Sequence, residues 1–177
     1  MNMNSKQQWA EERKSYIGAS EVAAVMGLCK YSGPVQVWME KTGRAETNLD
    51  SYRIRKGHKM EEFIIQEARG TLKEMGVNVA SAMSAGPDGG DIPPEALTFK
   101  SRLHLPLVVH CDANGTLDAE PGFVIEAKCT NSRMTKDLVH WRDKGEPLKN
   151  TSTMNWWVQI QAQLSVLEYP EGFLAAD

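Results

Sequence analysis

Apolar positions change their period along this chain, and the change divides it. From about Ser51 to Met75, Ile54, Met60, Phe63, Ile64, Ala68 and Leu72 recur at the spacing of one face of a long amphipathic helix. Gly57 and Gly70 weaken that helix, Gly57 marking either a break or a close backbone approach, and Gly76 is the expected stop. Shorter helices precede it. Ser5 is placed to cap one running to Lys14, and Ser20, followed by Glu21 and the run Val22 to Met26, to cap a second that Gly27 ends. Pro34 opens a third, with Val35, Val37, Trp38 and Met39 supplying contacts before Thr42-Gly43.

Beyond that point the apolar runs shorten and take strand character. Strands are predicted near Val77 to Met83, Leu97 to Ser101, Leu105 to Asp112, Gly115 to Asp118 and Phe123 to Cys129. The Gly-, Pro- and Asp-containing segment Ser84 to Pro94 reads as a loop, and Asn114-Gly115 as a tight turn. A short helix from Arg133 to Trp141, a final helix from Asn155 to Glu168 and a last strand from Gly172 to Ala176 complete the pattern. The order predicts an α/β fold: a mixed central sheet flanked by helices, with a helical portion over residues 1–50 and a core over 51–177, in one domain without internal repeats.

Composition narrows the class. A length of 177 residues suits a single domain with a real core, and 41% hydrophobic with 24% charged residues is ordinary for a globular protein. No apolar run approaches the ~18 residues of a bilayer span, and the N-terminus is polar, so neither a membrane segment nor a signal peptide is expected. Cys29, Cys111 and Cys129 are odd in number and lack C-x-x-C spacing, which argues against a disulfide frame or a zinc site and for thiols in a reducing cytoplasm. A net charge of −3 argues against a protein that merely coats nucleic acid, but an enzyme with an acidic metal site is compatible with it. Arg53, Arg55, Lys56, His58 and Lys59 form the one dense basic run, either a solvated helix face or a phosphate-facing stripe.

The chemistry concentrates in His110-Cys111-Asp112-Ala113-Asn114-Gly115 and Val124-Ile125-Glu126-Ala127-Lys128. On a strand, Glu126 and Lys128 share a face while Ala127 looks away. With Asp112 on a neighbouring strand, two carboxylates and one ammonium would meet in a small volume. Carboxylates so close repel unless a divalent cation lies between them, and hard oxygen ligands favour magnesium or manganese. These are the parts needed to hydrolyse a phosphodiester. Glu-x-Lys alone is weak, since Glu12-Arg13-Lys14 repeats it, and the plain rival is a solvated cross-strand ion pair. Phe123-Val124-Ile125 before Glu126 and the run Leu105 to Val109 before Asp112 weigh against it, because acids ending buried strands are costly.

Five further pieces, in order, carry a resemblance: Arg13 with Ile17-Gly18-Ala19-Ser20-Glu21-Val22; Trp38-x-x-Lys41-Thr42-Gly43; Gly57-x-x-x-Glu61; Asp112 with Glu126-Ala127-Lys128-Cys129-Thr130; and Trp156-x-x-Gln159-x-Gln161. Together they resemble the YqaJ-like viral recombinase (lambda exonuclease) family of the PD-(D/E)xK nuclease superfamily, from about residue 13 to 176. The resemblance implies a magnesium-dependent deoxyribonuclease, a 5′→3′ exonuclease that degrades double-stranded DNA to 5′-mononucleotides. The 3′ overhangs left behind would serve recombination with a single-strand annealing protein as partner, and the enzyme would be a homo-oligomer, a trimeric ring around DNA.

By the same resemblance, Asp112 and Glu126 are metal-binding carboxylates, with the carbonyl of Ala127 as a third ligand. Lys128 orients or activates the attacking water, Glu61 joins the site from a helix, and Gln159 reaches in from the late helix. Arg13 and Ser20 match positions that hold the 5′-terminal phosphate. Plainer readings stand beside these. Glu61 has Glu62 as a competitor, and Ser20 is equally a helix cap. On the final helix Gln159 and Gln163 lie along one border of the apolar face and Gln161 along the other, so which of them reaches a cleft stays open. Trp156 and Trp157 read as core or interface rather than base-stacking platforms. Members of the family continue past the last strand, whereas this sequence stops at Asp177, which leaves the sheet edge and oligomer contacts open. An endonuclease of restriction or repair type, or a non-catalytic DNA- or protein-binding module, would share the same core.

Overall fold

The longest strand organises the rest. Phe123, Val124 and Ile125 are all fully buried, so this segment is covered on both faces, as a continuous apolar run requires. The computed structural model describes residues 11–45, 52–75, 77, 83–84, 98–103, 105–117, 120–149 and 151–177. Helices are α1 (Ala19–Val25), α2 (Pro34–Lys41), α3 (Tyr52–Glu74), α4 (Ser132–Lys144) and α5 (Ser152–Leu167). Strands are β1 (Ile17–Gly18), β2 (Met83–Ser84), β3 (Thr98–Lys100), β4 (Leu107–His110), β5 (Ala113–Leu117), β6 (Glu120–Lys128) and β7 (Glu171–Ala176).

The expected mixed sheet is present as two mixed sheets. One has the order β2-β5-β6-β7, with β5 antiparallel and β7 parallel to β6; the other has the order β1-β4-β3, with β1 parallel and β3 antiparallel to β4. The chain passes from one to the other at Cys111-Asp112, between β4 and β5. Alternation along β6 sends Phe123, Ile125 and Ala127 to the face covered by α3, where they pack with Ile64, Ile65 and Leu72. Phe123 meets Phe173 of β7 edge-on, with ring centroids 5.4 Å apart. Val124 points the other way, into a cluster with Cys111 and with Ile160 of α5. A third cluster joins Ala19 of α1, Val109 of β4 and Ala162 and Val166 of α5. The final helix therefore bridges both sheets. Among the described residues no helix is long and apolar enough to cross a membrane.

Most helices stand where the pattern put them. Pro34 occupies the first turn of α2, and Gly27 and Gly43 take left-handed φ values of 71° and 70° just beyond α1 and α2. The long helix α3 runs through both Gly57 and Gly70 without a break, α4 extends to Lys144, and α5 starts at Ser152, three residues ahead of the expected Asn155. Two expectations need correction, and others lie outside the described residues. Asn114-Gly115 is not a turn: both residues lie inside β5, paired with Val124 and Phe123. The register shifts between Gly115 and Leu117, so the glycine marks an irregularity in the ladder rather than a reversal of the chain. Ser20 does not cap α1; the N-cap is Gly18, and Ser20 sits exposed within the first turn. A 3-10 turn occupies Arg13–Ser15, while Ser5, Ser51, Gly76, Leu97 and nearly all of Ser84 to Pro94 lie outside the described residues. Strand β1 has no counterpart in the pattern, because two residues are too short to show a period.

Close approach of β5 and β6 demands a glycine. A Cβ on Gly122 would lie 1.9 Å from the backbone oxygen of Gly115, a contact only a backbone shift can relieve. Gly122→Ala is expected to destabilise the protein by ~3 kcal/mol, the upper part of the usual overpacking range, measured by urea unfolding. An unchanged midpoint would mean that the two strands are not held at this spacing.

Candidate active site

The β5–β6 register builds the centre of the site. Ala113 pairs with Ile125 in an antiparallel ladder, so Asp112, one step back, faces Glu126, one step on. Asp112 Oδ2 accepts a hydrogen bond of 2.7 Å from the Ala127 N–H, which ties the carboxylate to β6. Glu126 and Lys128 share the face that looks toward α5. The Glu126 side chain is 1% exposed, and three donors close by reach its two oxygens. Its Oε1 accepts from Lys128 Nζ and, at 2.5 Å, from Gln159 Nε2. Its Oε2 accepts from Gln163 Nε2 at 2.6 Å, and the same nitrogen donates to the His110 carbonyl at 2.9 Å.

Both Gln159 and Gln163 thus reach the site, one turn apart on α5, while Gln161 is exposed. Sequence reasoning left that choice open, although the i, i+4 spacing carried the signal. Trp156 is buried in the core and Trp157 is partly exposed.

Electrostatics mark the pair as unusual. Burial pushes the Asp112 carboxyl well above the ordinary carboxylate range, with Glu126 and Glu61 adding to it and Lys128 and the Ala127 N–H opposing it. Burial works against the Lys128 ammonium, but the charges of Glu126, Asp112 and Glu61 outweigh it and raise its pKa, so it stays protonated. Glu61, half-buried on α3, thereby acts on both partners. The side chain of its competitor Glu62 lies outside the described residues. Burial, followed by Glu126 and Asp112, pushes the Cys111 thiol far up, which removes it as a nucleophile.

Do these residues fit a divalent cation? Two facing carboxylates, one of them pushed toward its protonated form by burial and then by the charge of the other, are the condition a hard cation relieves. Among the described residues no three His, Cys, Asp or Glu side chains form a ready cage. A cation would therefore take Asp112 and Glu126, with the backbone carbonyl of Ala127 and water as further oxygen donors. The donor set fits magnesium or manganese better than zinc.

A second polar unit lies at the start of α1. Glu21 Oε1 pairs with Arg13 Nη2 at 2.9 Å, and its Oε2 accepts from Lys41 Nζ at 2.7 Å and from the Gly18 N–H at 2.7 Å. Lys41 also donates to the Arg13 carbonyl at 2.7 Å. Burial raises the Glu21 carboxyl, but Lys41, the Gly18 N–H and Arg13 together outweigh it and hold it below its ordinary value. His110 stands between the units. Its ring bonds Thr98 Oγ1 at 2.8 Å and packs near Tyr16, burial and the Arg13 charge lower its pKa, and its carbonyl is the one Gln163 holds. Sequence reasoning assigned no role to Glu21, Lys41 or His110. Ser20 makes no part of this cluster's bonding. Of the basic run on α3, Lys56 and Lys59 are exposed, and the side chains of Arg53, Arg55 and His58 lie outside the described residues.

Comparison with known proteins bears on this geometry. The YqaJ-like viral recombinase domain matches residues 8–170. Two solved structures are similar over nearly the whole chain. One is LHK-Exo in complex with dAMP, with a TM-score of 0.58, 16% identity and coverage of 96% of this chain and 73% of that one. The other is an alkaline exonuclease (LHK-Exo) from Laribacter hongkongensis, with a TM-score of 0.56, 16% identity and coverage of 97% and 74%. At that identity the likeness is one of fold. No curated protein matches the chain.

The depressed Glu21 carboxyl has a consequence for stability. Its contribution is fully present above the ordinary carboxylate pKa and is lost as pH falls through the lower folded value. Glu21→Gln should lower the unfolding midpoint at pH 7 and flatten its fall in the acid range. Parallel acid profiles for the variant and the parent protein would show that the ion pairs with Arg13 and Lys41 contribute nothing to folding.

Proposed function

The chain belongs to the YqaJ-like viral recombinase family, and from that membership and the geometry of the site we propose that it is a metal-dependent DNA exonuclease. The observation that carries the proposal is the facing pair Asp112 and Glu126, with Lys128 bound to Glu126 on one side of β6. The substrate is double-stranded DNA, digested 5′→3′ to 5′-mononucleotides, and the 3′ overhang is the substrate of a single-strand annealing partner. The proposed assembly is a ring-like homo-oligomer, possible only if one surface of the chain meets a different surface of its neighbour and the rotation closes. A cytoplasmic setting suits the DNA substrate.

Each residue has a task set by its surroundings. Asp112, Glu126 and the Ala127 carbonyl would hold magnesium, or manganese in its place. When bound, that ion neutralises charge on the scissile phosphate and acidifies the attacking water. Lys128, as an ammonium, donates a hydrogen bond that orients the water, and its second anchor on Glu126 keeps it in line. Gln159 holds Glu126 Oε1 from α5. Glu61 adds negative charge from α3, which favours cation binding over an empty pair. Arg13, beside Glu21 and Lys41, takes the 5′-terminal phosphate of the strand being digested, and Ser20 lies exposed at the same helix start.

Linear duplex labelled at either end, incubated with and without magnesium, tests activity, metal dependence and polarity together. Release of the 5′ label first, only with the metal, is the expected result. A covalently closed circle should survive, and its cleavage would replace this reading with an endonuclease. Lys128→Ala and Asp112→Ala should each lower hydrolysis on the order of 10³-fold, about 4 kcal/mol of barrier, with fold and DNA binding retained. Undiminished digestion by both variants would remove the site from these residues.

A further inference from the structure

Gln163 is a primary amide with 0% exposure, set on α5 among Ile160, Ala162 and Val166. Its Oε1 is buried without a hydrogen-bond partner. Such a group is costly to bury, and a methionine would fill nearly the same volume with no polar atom to satisfy. What the amide provides is its nitrogen. One N–H goes to Glu126 Oε2 at 2.6 Å and the other to the carbonyl of His110 at 2.9 Å. His110 ends β4, two residues before Asp112. A single nitrogen thus joins the carboxylate on β6 to the segment that presents the opposing carboxylate.

Gln159 and Lys128 both act on the other oxygen, Oε1. Were Lys128 to turn toward substrate, Gln159 alone would restrain that oxygen, whereas Oε2 stays fixed by Gln163 from inside the core. Carboxylates that bind metals depend on such outer partners for their orientation. We infer that Gln163 is a positioning residue that fixes the Glu126 carboxylate against Asp112 and so sets the affinity of the pair for a divalent cation. The inference rests on the metal-dependent reading proposed above. Gln163 is too deep to touch DNA, so its effect must appear in the DNA-free protein.

The test is a calorimetric titration of Mn2+ into the DNA-free protein, beside thermal unfolding of the same samples. Gln163→Met should bind Mn2+ ~10–100-fold more weakly and unfold below the parent midpoint, since Glu126 Oε2 and the His110 carbonyl lose their common donor. Gln161→Ala, exposed on the same helix, should leave both measurements unchanged. If Gln163→Met does not fold, Gln163→Asn, which keeps the amide but withdraws it by one carbon, is read in the same titration. Parent-like Mn2+ affinity in the folded variant overturns the role of Gln163 alone. Failure of the parent protein itself to bind Mn2+ overturns the metal-dependent reading and this inference with it.

Discussion

A carboxylate with almost no contact with water sits at the centre of this molecule, and the fold is arranged to make that tolerable. Glu126 receives donors from its own strand through Lys128 and from α5 through Gln159 and Gln163. A buried ion left unpaired would cost several kcal/mol, on the order of the whole stability margin of a small domain. The position of α5 is therefore constrained twice. Its apolar residues must pack on Val124 and Val109, and its amides must arrive at the two oxygens of one side chain. That double demand explains why this helix bridges both sheets and why it is mostly buried along its length.

Much of this was legible before any coordinates. The strand carrying Glu126 and Lys128, the helix opened by Pro34, the long helix from Tyr52 and the last helix and strand all follow from period and punctuation. The errors have local causes. Asn114-Gly115 has the composition of a hairpin turn, but in the antiparallel ladder of β5 and β6 the chain reverses later, between Leu117 and its partner Glu120. Ser20 has the composition of a cap, yet the preceding glycine takes the capping position and Glu21 binds its N–H. A side chain of the right type was available at each place; the neighbour with the better geometry prevailed.

The candidate site divides along the same line. Asp112, Glu126 and Lys128 could be proposed because strand alternation and pairing convert sequence separation into a shared face. Gln163 could be placed only on a border of its helix, since the wheel says which residues are neighbours and not how deep each lies. Lys41 and His110 were out of reach for a different reason. Lys41 sits at the end of a helix with no periodic signal pointing at Glu21, and His110 matters through a backbone carbonyl, which any residue type supplies.

That carbonyl is where the two polar units of the molecule join. Glu21 gathers Arg13, Lys41 and the Gly18 N–H into one cluster at the entry to α1, and β1, which carries Gly18, pairs with β4. The far end of β4 is His110, whose ring lies near Tyr16 and within the field of Arg13 while its backbone is held by Gln163. Strand β4 thus lies between the Arg13 cluster and the segment bearing Asp112, and Gln163, which holds the His110 carbonyl, also holds Glu126. The separation of the two carboxylates is set by strand pairing, and their orientation by the Ala127 N–H on Asp112 and by Lys128, Gln159 and Gln163 on Glu126. A site built this way needs no loop to close over it before the acids face each other, because the framework already imposes the arrangement.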